Sequence, residues 1–386
     1  MRQSSIVALL FALAACRTPR AAERVVDVPD ATTEPPAPLG EPRIALGREH
    51  SCLLQSNGSV RCWGANANGQ IGDGTIVEHR RPSLVRGLSG VKQIGLGGSH
   101  GCALMSGGAV RCWGSNGRGE TGDGTNDDRP SATAVGTLSN VVEIALGTFH
   151  SCVVLGDATV RCWGDNQLGQ FGDGTKQGRA EPTLVPTLAH VKQLALGQSE
   201  TCALVDDGTV RCAGAGLGAR AGEAKTRLTP SQIVGLAGVA RIAVGDLHAC
   251  ALSTEGGTVR CWGANDHGQL GDGTTQSRTT PAAVRDLVGV VELALGGSET
   301  CARLGDGTVR CWGANEHGQI GDGTTQDRKT PTRVVQLAGA KQVAIGGAHG
   351  CALLDADQVV CWGANRTGQL GDGETVDRPT PAPVKL

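Results

Sequence analysis

Fourteen of the fifteen cysteines fall into seven sequence pairs, at positions 52 and 62, 102 and 112, 152 and 162, 202 and 212, 250 and 261, 301 and 311, and 351 and 361. Successive pairs begin 48 to 51 residues apart, and only the fifth pair encloses an extra residue. A fixed period of this length constrains the fold more than a chain length of 386 does, because each unit can bury its apolar side only against its neighbours.

Each unit contains three short segments of strand composition and a fourth that begins on proline. The first is Val-x-x-Ile-Ala-Leu-Gly, as in Val141 to Gly147, the second Cys-Ala-Leu, as in Cys102 to Leu104, and the third Val-Arg-Cys-Trp, as in Val110 to Trp113. Between the second and third, Ser106-Gly107-Gly108 supplies the positive φ that a hairpin turn requires. A glycine-punctuated loop ending in Gly-Asp-Gly-Thr follows, and then Pro-x-x-Val, seen at Pro82 to Val85 and Pro281 to Val284, where proline fits an edge strand.

Seven such units without a helical period predict an all-β fold over residues 43–386, a seven-bladed β-propeller of four-stranded blades. The first unit opens at Arg43 without a preceding Pro-x-x-Val, and the chain finishes on Pro381-Ala382-Pro383-Val384. Ring closure by pairing of the N- and C-terminal strands is therefore expected, since it removes an exposed edge. An open solenoid, the rival, would show polar capping units.

Residues 1–15 combine Arg2, an apolar run from Ile6 to Leu13 and two alanines ahead of Cys16. The run is too short for a mature membrane span and has the form of a removed signal segment. Leu13-Ala14-Ala15-Cys16 resembles the bacterial lipobox, which implies lipidation of Cys16, with ordinary secretory cleavage as the alternative. Arg17 stands where inner-membrane retention signals of that kind show Asp, so outer-membrane or cell-surface attachment is expected. Residues 17–42 hold six prolines and no strand or helix period, and read as a tether extending by about 3.1 Å per residue.

Export places the paired thiols in an oxidising compartment. Pairing Cys102 directly opposite Cys112 also sets Leu104 opposite Val110, a consistent antiparallel register at a disulfide-compatible separation. Seven disulfides are therefore expected: Cys52 with Cys62, Cys102 with Cys112, Cys152 with Cys162, Cys202 with Cys212, Cys250 with Cys261, Cys301 with Cys311 and Cys351 with Cys361. Each closes a loop of roughly 11 residues, for which chain entropy gives about 2 to 3 kcal/mol. Reduced cysteines packed as small apolar residues are the alternative. Zinc is disfavoured, because no C-x-x-C occurs and the His-x-Cys pattern gives way to Glu200 and Glu299 in two units.

Hydrophobic residues make up 39% and charged residues 19%, enough apolar content for a folded body and too little charge for a disordered one. A net charge of -2 provides no general attraction to nucleic acid or anionic lipid, so neither is expected as a partner beyond the lipid anchor itself.

Trp312-Gly313-Ala314-Asn315 followed by Gly318-Gln319-Ile320-Gly321, repeated with His-x-Cys-Ala-Leu and Gly-Asp-Gly-Thr, resembles the regulator of chromosome condensation repeat family over about Arg43 to Leu386. Members of that family are seven-bladed propellers. Their functions, which the resemblance brings as expectations only, include nucleotide exchange on a small nuclear GTPase, ultraviolet perception and inhibition of β-lactamases. Exchange requires inserted wedge and loop residues, and units of 48 to 51 residues have no evident insertion. Light perception requires a dense Trp cluster, whereas Trp63, Trp113, Trp163, Trp262, Trp312 and Trp362 supply one per unit and read as packing.

Candidate chemistry is sparse. His50, His100, His150, His248 and His349 could surround an axis as ligands, but hydrogen bonding at strand ends accounts for them. The Asp of Gly-Asp-Gly lacks the carboxylate density of a calcium loop and reads as turn stabilisation. Arg80, Arg129, Arg179, Arg278, Arg328 and Arg378 follow these loops on one rim, mixed with acids, and are candidates for recognising an acidic protein surface. In the fourth unit Trp, Asn, Gln and Asp are lost together from Cys212 to Lys225, which makes Arg220 and Lys225 further candidates.

The expectation is a monomeric, non-enzymatic protein-binding or structural module at the cell envelope, without cofactor or metal. A propeller enzyme acting on glycans through the central funnel is the alternative, and an exchange factor a third.

Overall fold

The computed structural model describes Met1 and residues 43–386, apart from 137, 216–225 and 356. The signal segment, Cys16, the tether, Arg220 and Lys225 lie outside the described residues.

Residues 43–386 form seven four-stranded antiparallel sheets, with no helix among the described residues. Blade 2 shows the pattern: an inner strand Val91–Leu96, a second strand His100–Met105, a third Val110–Gly114 and an outer strand Arg129–Ala134, paired in that order. The second strand is almost wholly buried and the outer strand is half-exposed, so the apolar core lies between blades. The predicted hairpin register is present: Cys102 faces Cys112, and Leu104 faces Val110. Gly108, at φ 78°, makes its turn. All seven predicted disulfides are formed, with Cα atoms 4.1 Å apart in each.

Each tryptophan crosses to the preceding blade. Trp113 packs among Cys52, Leu54, Val60, Cys62, Ile71 and Val85 of blade 1, and Trp63 packs among the corresponding residues of blade 7. The first glycine of Gly-Asp-Gly permits this close approach: a Cβ at Gly371 would lie 2.8 Å from Trp63 Nε1.

The mode of closure differs from expectation. Arg43–Leu46 pairs with His50–Leu54, and Arg378–Pro383 pairs with Val359–Gly363, so the terminal strands belong to different sheets. Each repeat completes its own blade, because its Pro-x-x-Val strand pairs with its own Cys-Trp strand. Blades 7 and 1 meet instead through side chains and a loop. Trp63 Nε1 donates to Gln369 O at 2.8 Å, Ile44 N donates to Gln342 Oε1 at 3.0 Å, and His349 Nε2 lies 2.9 Å from Ser51 Oγ. Gly347 N also donates to Arg48 O at 3.2 Å.

Candidate functional site

The inner strands run along the axis from a wide mouth at residues such as Lys92 and Lys192 to a narrow mouth at Gly47, Gly97 and their counterparts. The long Gly-Asp-Gly loops leave the third strand at the narrow end, so the ring has a loop face there and a funnel face at the opposite end.

On the loop face, the sequence motif accounts for a rigid frame. Asn66 accepts from Ile71 N through Oδ1 at 2.9 Å and donates from Nδ2 to Val77 O at 2.8 Å. Asp73 accepts from Thr75 N and Oγ1 at 2.9 and 2.8 Å. The carbonyl of Gln70 accepts from Trp113 Nε1 of the next blade at 2.9 Å. Burial opposes ionisation of Asp322, but hydrogen bonds from Thr324 and Arg328 outweigh it and hold its pKa below the usual value.

These frames engage most of the rim arginines. Arg129, Arg278, Arg328 and Arg378 form ion pairs with the buried Asp123, Asp272, Asp322 and Asp372 of their own loops. Arg179 binds the carbonyl oxygens of Gln177 and Gly178. Arg80 is exposed and pairs with Glu78 at 3.4 Å. Strand register shows that the true counterpart of these arginines in blade 1 is His79, opposite Gly64, whose Nε2 lies 2.7 Å from Asp73 Oδ2. In blade 4 the counterpart is Arg227, 3.6 Å from the buried Glu200. Spacing from the Asp would have found His79. Arg227 follows a loop that has lost its Asp, and only register identifies it.

Tips projecting from this common frame differ between blades. Ile76 and Val77 in blade 1 and Val376 in blade 7 are each about two-thirds exposed, where blades 2 and 5 carry Asn126-Asp127 and Thr275-Gln276.

Beneath the loops lies a buried ring: His50, His100, His150, Glu200, His248, Glu299 and His349. Four histidines reach a hydroxyl on the next blade: His100 to Ser151, His150 to Thr201, His248 to Thr300 and His349 to Ser51, at 2.7 to 2.9 Å. Ser51 donates its one hydroxyl proton to Gln369 O, so His349 must be the donor through Nε2–H. Where the next blade offers Gly101, Ala249 or Gly350, no hydroxyl is available, and two of those three ring positions hold glutamate. Burial pushes the histidines down, His100 to about 3 and His150 to about 4. This is the expected strand-end hydrogen bonding. Glu200, Cys202 and Cys212 also approach one another, but both sulfurs are already in a disulfide.

The narrow mouth is a cavity of about 120 Å³ spanned by an ion pair, with Arg48 Nη2 3.0 Å from Asp246 Oδ2 and Thr148 Oγ1 donating to Asp246 Oδ1 at 2.9 Å. The wide funnel encloses about 980 Å³. Its wall carries a set of residues that sequence reading missed, each immediately before an Ile, Leu or Val of the inner strand. Gln93, Gln193 and Gln342 each accept the N–H and donate to the C=O of one residue on the next inner strand, Ile144, Ile242 and Ile44 respectively. Glu143 and Glu292 occupy the same position and accept the N–H of Leu194 and Val343 without donating to the carbonyl. Burial raises the Glu143 carboxyl to about 7, and raises Glu292 despite Arg303 at 2.7 Å. The available signal was a polar residue recurring at one position of an otherwise apolar strand.

The Regulator of chromosome condensation (RCC1) repeat model matches residues 57–104, 157–204, 256–303 and 306–353, and a second model of the same description matches 43–70, 91–120, 141–170, 239–269, 290–319 and 340–369. The human E3 ubiquitin-protein ligase HERC2 is 48% identical over 77 residues, which is 19% of this chain and 2% of that protein. Mouse RCC1 domain-containing protein 1 is 40% identical over 67 residues, 16% of this chain and 18% of that protein. Among solved structures, Prp20p from Saccharomyces cerevisiae, described with binding to Gsp1p and histones, superposes with a TM-score of 0.73 at 24% identity, covering 88% of this chain and 86% of that one. Human WBSCR16 gives 0.70 at 23% identity, covering 81% and 86%. The chain spans only a small part of the curated relatives it matches, and the structural likenesses are of fold. With repeat matches over most of residues 43–369, the chain belongs to the regulator of chromosome condensation (RCC1) repeat family.

Proposed function

We propose that this protein is a non-enzymatic protein-binding module that docks its partner on the loop face, carried to the cell envelope by a lipid on Cys16. The observation that carries the reading is the contrast between a loop frame shared by six blades and blade-specific tips, with Ile76, Val77 and Val376 exposed on adjacent blades beside Arg80. Exposed aliphatics next to a cation suit a partner that presents an apolar anchor with acidic neighbours. The seven disulfides fit an oxidising, extracellular environment. Prp20p, with the same fold, is described as binding Gsp1p and histones, which supports a binding role for such a ring.

The glycan-enzyme reading would need free acids in the funnel. Glu143 and Glu292 are there, but each accepts a main-chain N–H of the next blade, which favours a structural role for both.

Cross-linking capture from envelope extracts tests the docking face. A partner retained by the wild type should be lost with Val77→Asp and Val376→Asp together and kept with Lys92→Ala on the opposite face. Equal capture by all three would refute loop-face docking. Fatty-acid labelling that persists after Cys16→Ala would remove the anchor from the proposal.

A further inference from the structure

The funnel face has a construction of its own. In blades 2 to 6 the register between inner and second strands shifts at the start of the inner strand, for example between Val91 and Gln93 and between Val191 and Gln193. Such a bulge re-aims the extra residue. Here it turns out Lys92, Val142, Lys192, Ala240 and Val291 at the mouth, and Lys341 holds the corresponding place in blade 7. Three of these six rim positions are lysine and none is acidic. Arg241 stands one residue further in and is exposed to the funnel.

We propose that the funnel binds a small multivalent anion, a compound carrying two or more phosphate or carboxylate groups. Lys92 has no ion-pair partner among the described residues, and Arg241 makes no direct ion pair there, its charge acting on Glu292 across the funnel wall only at longer range. Lys192 donates to Asp206 O at 3.0 Å and lies 3.8 Å from its carboxylate, and Lys341 lies 3.4 Å from Asp355, with all four side chains more than half exposed, and such surface contacts exchange readily for a ligand. The two carboxylates of the funnel wall do little to cancel these cations. Glu292 is neutralised by Arg303, and burial moves Glu143 towards its uncharged form. A concave cationic mouth on a protein of net charge -2 focuses its field on the cavity and selects anions there. The cavity of about 980 Å³ lies at the upper end of small-molecule sites, and cations on blades 2, 4, 5 and 7 favour several anionic groups over one. Val142 and Val291, both over 40% exposed, provide apolar flanks.

Calorimetric titration of the full chain with pyrophosphate and with citrate at low salt tests the site, separating phosphate from carboxylate recognition. At least one anion should bind with one-to-one stoichiometry and weaken as salt rises. Affinity should fall about tenfold or more in Lys92→Ala/Lys192→Ala/Lys341→Ala and in Arg241→Ala, and should be unchanged in Arg285→Ala, a surface cation away from the funnel. Thermal transitions should match the wild type, and Arg241→Ala alone decides if the triple variant folds poorly. Absence of binding of either anion at millimolar concentration, or equal affinity in the funnel variants, overturns the proposal. This site stands independently of docking on the loop face.

Discussion

Two seams of the ring, between blades 7 and 1 and between blades 4 and 5, do the same job with different parts. At the first, which joins the ends of the described body, Gln342 clasps Ile44, His349 meets Ser51, and the carbonyl of Gln369 accepts from both Ser51 and Trp63. At the second, Gln193 clasps Ile242, but Ala249 offers no hydroxyl to Glu200, and the buried Trp262 Nε1 has no hydrogen-bond partner among the described residues. Apolar packing is present at both, since Trp262 inserts among Cys202, Leu204 and Cys212 as Trp63 does among Cys351, Leu353 and Cys361. The difference teaches that packing and the inner-strand clasp hold a seam, while the loop and the hydroxyl bond reinforce it.

Truncating the tryptophans should break the comparison most severely. Trp63→Ala and Trp262→Ala should each cost about 3 to 5 kcal/mol in denaturant unfolding, because both lose the same packed volume. Phenylalanine should then separate them. Trp63→Phe loses a hydrogen bond worth about 1 kcal/mol, whereas Trp262→Phe should be closer to neutral. Equal costs for the two phenylalanine variants would mean that the seams are equivalent.

The clasps sharpen the contrast at smaller scale. Gln193→Ala should expose the amides of Val239–Val244 to hydrogen exchange more than Gln342→Ala exposes those of Arg43–Leu46, each variant losing about 1 to 2 kcal/mol locally. The first seam has further polar links in reserve.

A third seam, between blades 3 and 4, allows the clasp to be tested by pH. Glu143 ionises near 4.5 when unfolded and near 7 when folded, so the folded state binds the extra proton between these values and stability falls as pH rises through them. The lowered histidines act in the opposite sense: His100 titrates at about 6.5 unfolded and about 3 folded, so its contribution is present above 6.5 and is lost on acidification. Glu143→Gln isolates the first effect. Its unfolding free energy should match the wild type near pH 4.5 and exceed it above pH 7, by about 1 kcal/mol after allowance for partial exposure. A difference that shrinks with rising pH would contradict a proton-retaining clasp.

The amino-acid sequence by itself determined the blade. Strands, hairpin turns and all seven disulfides depend on partners about ten residues apart, so composition and spacing were enough to read Cys102 opposite Cys112 and Gly108 in the turn. The Asp of Gly-Asp-Gly was legible as a turn residue for the same reason. What lies between blades was decided only in the tertiary structure. Closure without strand exchange, His349 reaching Ser51 and Gln342 clasping Ile44 all depend on register or on residues of a neighbouring blade, brought near by the curvature of the ring. A repeat states what each copy shares. The funnel lysines and the different construction of the seam between blades 4 and 5 arise from what the copies do not share, and a β-bulge or a missing hydroxyl acquires meaning only when the next blade is beside it.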